Sequence, residues 1–190
     1  MKENLELRMY YLTMYNLSQI QIGIQAGHAK DEYSLKFGKS FDYIEWINNH
    51  KTYIILNGGT SNDGNRSFYK MPKQLGTMEQ HLIALKKNKI KCTPFYEPDL
   101  NYSLSAIAFI VDERVFNKAE YPNFVDYILD VKMYPEAREA APAQNIVMLK
   151  MQSEEKLQEM FPEYYKEWVR FIGGVKNVFL RELLKDKKKA

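Results

Sequence analysis

The chain has 190 residues, of which 45% are apolar, and a formal charge of +3 at neutral pH. That length bounds it to one domain, or one domain with an appendage, and the apolar share is enough for a core. The charge permits an RNA partner without demanding one. A single cysteine, Cys92, excludes an internal disulfide framework and any zinc-ligand spacing, and fits a reducing compartment.

Leu7 to Asn16 reads as a buried first strand. Ser18 caps a helix from Gln19 that runs to about Phe37, with Gly38 as its stop. Ile20 and Ile24 with Gly27 predict its buried face, widened by Ile22, Ala26 and Ala29. Ser40 caps a second helix, Phe41 to Asn49, with Tyr43, Ile44, Ile47 and Trp46 as its apolar side. Thr52 to Asn57 is the second strand, and residues 58–65 carry loop chemistry throughout. Thr77 to Asn88 is a third helix with Met78, Leu82 and Leu85 in phase, and His81 facing solvent. Lys91 to Tyr96 and Ser103 to Asp112 are the third and fourth strands. The pattern predicts an α/β protein: a compact mixed four-stranded sheet with helices on both faces.

From Tyr121 the composition turns helical and is punctuated by Pro122, Pro135, Pro142 and Pro162. Helices are expected at Phe124 to Asp130, from Ser153, and after Pro162. Gly173-Gly174 breaks the pattern, and Val175 to Leu184 resumes it with Val178, Phe179 and Leu183 buried. The Lys187-Lys188-Lys189 tail reads as a solvated helix end. The expected organisation is an α/β domain at 1–115 and a helical C-terminal extension at 116–190. No segment approaches the ~20 apolar residues of a membrane span, and Met1 to Glu6 shows no secretory pattern, so a cytoplasmic protein is expected.

Two motifs carry chemistry. Gln25-Ala26-Gly27-His28-Ala29 sets an imidazole, the natural base near neutral pH, on the first helix. Glu97-Pro98-Asp99-Leu100-Asn101 sets an aspartate at the corner between the last two strands. The alternatives are a histidine satisfied in the core and an Asx turn. Ser105 has no Gly-x-Ser-x-Gly elbow around it, which argues against a serine nucleophile. His50 and His81 lack metal-ligand spacing, and no metal or cofactor is expected.

The order of elements and these motifs resemble the type-II peptidyl-tRNA hydrolases, and the Glu-Pro-Asp-Leu-Asn variant leading into Ser-Ala-Ile-Ala looks like their phage-encoded branch. The resemblance covers residues 7–112. The family helix reads Gly-Lys-x-x-Ala-Gln-x-x-His-Ala, matched here at Gln25, His28 and Ala29. Its glycine falls on Ile20 and its lysine, associated with activity or tRNA contact, on Gln21. Its Asp-x-Gly corner is Asp99-Leu100-Asn101, and its Thr-led last strand begins at Ser105. The family's minimal fold has no counterpart of residues 121–190.

The resemblance implies hydrolysis of the ester between a peptidyl or aminoacyl group and the tRNA ribose, which needs activated water and oxyanion stabilisation but no metal. His28 would be the base or position the water, and Asp99 would orient it or hold a ribose hydroxyl. Ser105 and Gln25 would donate near the carbonyl. Gln21, Lys30 and Asn101 join Gln25 as substrate contacts, and Lys36 and Lys39 could face phosphates. A rival reading is a non-catalytic module that sequesters tRNA or a small nucleotide, as a phage protein acting in the host cytoplasm would. Another is an interaction protein whose C-terminal helices form a homodimer or dock a host factor.

Overall fold

The computed structural model describes residues 5–62, 75–129 and 143–190. Asp63, Gly64 and Asn65 of the expected loop, Asp130, Pro135 and Pro142 lie outside the described residues. Two compact units emerge: the chain up to Glu113 together with Phe179–Ala190, and Arg114–Val178. Residues 179–190 thus group with the sheet, whereas the sequence division placed all of 116–190 in one extension.

The first unit is built from β1 (Leu7–Met14), α1 (Gln19–Phe37), α2 (Phe41–Glu45), β2 (Thr52–Gly59), α3 (Thr77–Lys87), β3 (Cys92–Glu97) and β4 (Ser103–Asp112). The sheet has four strands in the order β2-β1-β4-β3. β1 runs parallel to β2, with Tyr10 opposite Ile54, and antiparallel to β4, with Tyr10 opposite Phe109. β3 is antiparallel to β4, with Thr93 opposite Ala108. The carboxyl ends of β1, β2 and β3 and the start of β4 therefore share one end of the sheet. Both α1 and α3 begin there. Thr77 Oγ1 donates to Gly58 O at 3.0 Å, which ties the start of α3 to the end of β2.

Successive side chains of a strand point to opposite faces, so adjacent residues report the two layers. Met9 and Tyr11 of β1, with Ala106 and Ala108 of β4, pack against Ala26, Ala29 and Tyr33 of α1 and against Trp46. Leu12 faces the other way, toward Met78 of α3. Gly58 lies between them: a Cβ there would meet Met78 Sδ at 2.2 Å, Leu12 Cβ at 3.0 Å and Thr13 O at 3.2 Å. Gly58→Ala should therefore overpack this layer and lower stability by about 1–3 kcal/mol, read as a lower urea midpoint at unchanged slope.

Ser18 and Gln21 form a capping box at the start of α1, each side chain taking the other's backbone N–H. The buried face of α1 differs from the expected one. Gln25, Ala26, Ala29 and Tyr33 turn to the sheet, while Ile20 is 77% and Ile24 49% exposed. The sheet surface beneath carries large rings, Tyr11 and Phe95 with Trp46 beside them, so small side chains fit against it and isoleucines do not. Gly38 ends the helix in a right-handed conformation (φ −58°), its N–H bonded to Ser34 O, and not in the left-handed one expected of a glycine stop.

The second helix was expected to reach Asn49. It is α-helical over Phe41–Glu45 and wider from Trp46 to His50, where Lys51 (φ 54°) ends it. Ser40 precedes it but makes no capping bond. Ile44 is exposed, while Trp46 is fully buried and donates to Thr52 O at 3.1 Å.

The C-terminal residues return to the edge of β2. Asn57 N–H donates to Lys188 O at 2.9 Å and Ala190 N–H to Ile55 O at 3.2 Å. Backbone pairing replaces the solvated tail expected from the lysine run. His81 is half-buried, not solvent-facing, and its Nε2 lies 2.8 Å from Lys187 Nζ. Burial, and secondarily the Lys187 charge, hold His81 down at about pH 4 against its usual 6.5. The unfolded chain binds that proton already near 6.5, so it carries more protons than the folded one between these values. Stability should then fall as pH drops through that window and level off below it. His81→Gln should remove this slope in urea melts followed across the same range.

The second unit contains α5 (Phe124–Tyr127), α6 (Ala143–Lys150), α7 (Glu154–Met160) and α8 (Pro162–Phe171), preceded by the short α4 (Glu113–Phe116), whose first residue lies in the sheet unit. Phe124, Tyr127, Ile128, Leu157, Trp168 and Ile172 form its core. Trp168 Nε1 donates to Pro122 O at 3.0 Å. Gly173 and Gly174 take φ of 89° and 102°, a left-handed pair that ends α8 where the sequence broke. In α9 (Val175–Leu184) the buried residues are Asn177, Leu180 and Arg181; the expected Val178, Phe179 and Leu183 are half-buried, Val178 against the core of the second unit.

Candidate functional site

The site lies where α1 crosses the β3 edge, near the carboxyl end of the strands. Gln25 and His28 are three residues apart on α1 and so neighbour each other on the helix surface. Gln25 is 5% exposed and His28 is exposed. The imidazole stacks on Phe95 of β3, with ring centroids 4.6 Å apart and planes 26° off parallel.

Beneath them runs a buried polar chain. Ser105, 0% exposed, donates from Oγ to Gln25 Oε1 at 2.5 Å and lies 3.3 Å from Phe95 O. Gln25 Nε2 donates to Glu97 Oε2. The other Glu97 oxygen takes the Asp99 backbone N–H at 3.4 Å. This chain fixes the amide orientation: the carboxylate can only accept, so the Gln25 nitrogen faces it and the Gln25 oxygen faces the hydroxyl.

A local irregularity in β4 aims Ser105. Phe95 pairs with Ala106, but the next residue, Tyr96, pairs with Leu104, so Ser105 is the extra residue of a bulge. Bulges re-aim side chains in this way. The β3–β4 corner is also unusual. Asn101 (φ 53°) and Tyr102 (φ 56°) are consecutive left-handed residues that bear side chains. They let the Tyr102 N–H turn back to Glu97 O at 2.9 Å. Such conformations are costly and concentrate at functional corners.

The expected residues separate into groups. Gln25, Ser105 and His28 gather at this edge, and Glu97 and Phe95 complete the group. Asp99 is exposed in the short turn Pro98–Leu100 and donates its backbone to Glu97; among the described residues it makes no hydrogen bond to His28. Asn101 is exposed at the same corner. Gln21 caps its own helix: its Oε1 accepts the Ser18 N–H at 3.0 Å. Lys30 pairs with Asp31 at 2.8 Å, Lys36 lies over the Phe37 ring at 5.3 Å, and Lys39 is exposed beyond the end of α1.

Ser105 gives its proton to an amide oxygen, which cannot act as a base, so its hydroxyl holds Gln25 in place. Sequence reasoning assigned no role to Glu97 or Phe95. The available signal was Glu97 itself, a carboxylate two residues before the corner aspartate. Among the described residues no three His, Cys, Asp or Glu side chains come together as a metal site.

The fold and site define an α/β protein with a mixed four-stranded sheet and a polar edge site against its first helix. No protein-family model, curated protein or solved structure matches the chain. No helix among the described residues is long and apolar enough to cross a membrane.

Proposed function

We propose that the chain is an ester hydrolase of the type-II peptidyl-tRNA hydrolase kind, cleaving the bond between a peptidyl or aminoacyl group and the tRNA ribose. The observation that carries this reading is the exposed His28 imidazole, seated on Phe95 beside the chain from buried Ser105 and Gln25 to half-buried Glu97. An imidazole so placed is open to water and held by a ring on one side. In the proposed reaction His28 takes a proton from water as its oxygen adds to the acyl carbon. The tetrahedral intermediate collapses, and the ribose oxygen leaves with that proton. The order strand, helix, helix, strand, helix, strand, strand in residues 7–112 is the one the resemblance implies, and it supports the same reading.

A second reading, a binding module without turnover, has its own support in Gln21. This position carries lysine in the family, and here the side chain is neutral and spent on the capping box. The test is release of free tRNA from N-blocked aminoacyl-tRNA by the full chain. Release supports the hydrolase; saturable tRNA binding without release supports the module.

A further inference from the structure

Resting on the reading above, we infer that the working carboxylate of this site is Glu97, with Gln25 and Ser105 as its positioning residues. Its task is to accept hydrogen bonds from the free ribose hydroxyl at the RNA terminus. Asp99 shapes the corner.

The two carboxylates differ in how they are held. The Asp99 side chain is exposed, and among the described residues no hydrogen bond fixes it. Glu97 is half-buried and receives one donor on each oxygen, Gln25 Nε2 on Oε2 and the Asp99 N–H on Oε1. Each oxygen keeps one lone pair for a ligand. Among the described residues no Lys or Arg forms an ion pair with Glu97, so its charge is not spent within the protein.

The supporting chain is costly. Burying an amide and a hydroxyl at a sheet edge gains little unless every member is satisfied. Here a β-bulge turns Ser105 inward to hold Gln25, and Gln25 in turn sets the Glu97 carboxylate. This is how a side chain is preorganised by a second layer of hydrogen bonds. Tyr102, exposed at the β3–β4 corner and bonded through its N–H to Glu97 O, offers a ring face on which a terminal base can stack. A fixed acceptor with free lone pairs suits a nucleoside whose sugar bears a free hydroxyl, and it discriminates against the deoxy sugar.

The test measures binding of a short single-stranded RNA against the same strand ending in a 2′-deoxy residue. The full chain is compared with Glu97→Ala, Gln25→Leu and Asp99→Ala, each checked for folding by its thermal melt. The wild type should prefer the ribose end by roughly tenfold or more, the worth of a hydrogen bond to a charged group. Glu97→Ala and Gln25→Leu should erase the preference, and Asp99→Ala should keep it. Glu97→Gln, the gentler change if the alanine variant fails to fold, should reduce the preference without abolishing binding. Absence of preference in the wild type overturns the inference, as does its loss in Asp99→Ala with retention in Glu97→Ala. The readout needs no turnover. Discrimination without hydrolysis sustains Glu97 and sinks the hydrolase reading, and hydrolysis without discrimination does the reverse.

Discussion

Replacing His28 with alanine should lower turnover of N-blocked aminoacyl-tRNA by roughly 10²–10⁴-fold, the usual contribution of a positioned general base. The protein should stay folded. His28 is exposed, and its one described contact is the Phe95 ring. Losing that contact costs about 0.5–1.5 kcal/mol, a modest part of a domain's stability. The loss should fall on kcat, because the imidazole acts on water and not on the bulk of the tRNA. Single-turnover rates with melting curves of both proteins check this. A variant that melts normally and turns over normally would remove His28 from the chemistry.

The largest stability effect should come from Trp46→Ala, at about 3–5 kcal/mol. Trp46 is 0% exposed and sits between Tyr43, at 5.7 Å between ring centroids, and Tyr53, at 5.3 Å. Tyr53 in turn stacks on Tyr11 at 5.5 Å, so the indole joins the α2 segment to the sheet. Truncation opens a cavity and also leaves Thr52 O without the indole N–H. Trp46→Phe separates the two effects: it keeps most of the ring contact but still orphans the carbonyl, at about 1–3 kcal/mol. Urea titration of the three proteins gives both numbers. Equal stability of Trp46→Ala and the wild type would contradict the described core.

Local patterns were legible in the sequence, and partners distant in the chain were not. β4 was readable at Ser103–Asp112 because a long apolar run bounded by a corner and an aspartate admits little else. The Ser18 cap and the Met78, Leu82, Leu85 stripe of α3 follow from contacts within one helical turn or two. The buried face of α1 was misjudged because hydropathy ranks isoleucine above alanine. The choice was made by the large rings lying beneath the helix. The same blindness hid His81, whose partner Lys187 is 106 residues away.

The site followed this rule. The Gln25 and His28 spacing was visible, and so was the corner. The bonds that join them were not, since Ser105 and Gln25 lie 80 residues apart and Gln25 and Glu97 lie 72 apart. Ser105 faces α1 only because of the bulge, and nothing in the local sequence marks one. The corner drew attention to Asp99, while the residue bound into the network is Glu97.

The most direct test of the central claim is incubation of N-blocked aminoacyl-tRNA with the wild-type protein in heavy-oxygen water, followed by mass analysis of both products. Acyl hydrolysis by water predicts one heavy oxygen in the carboxyl group of the released acid and none in the tRNA ribose. Intact substrate after prolonged incubation, or label in the ribose, would contradict it.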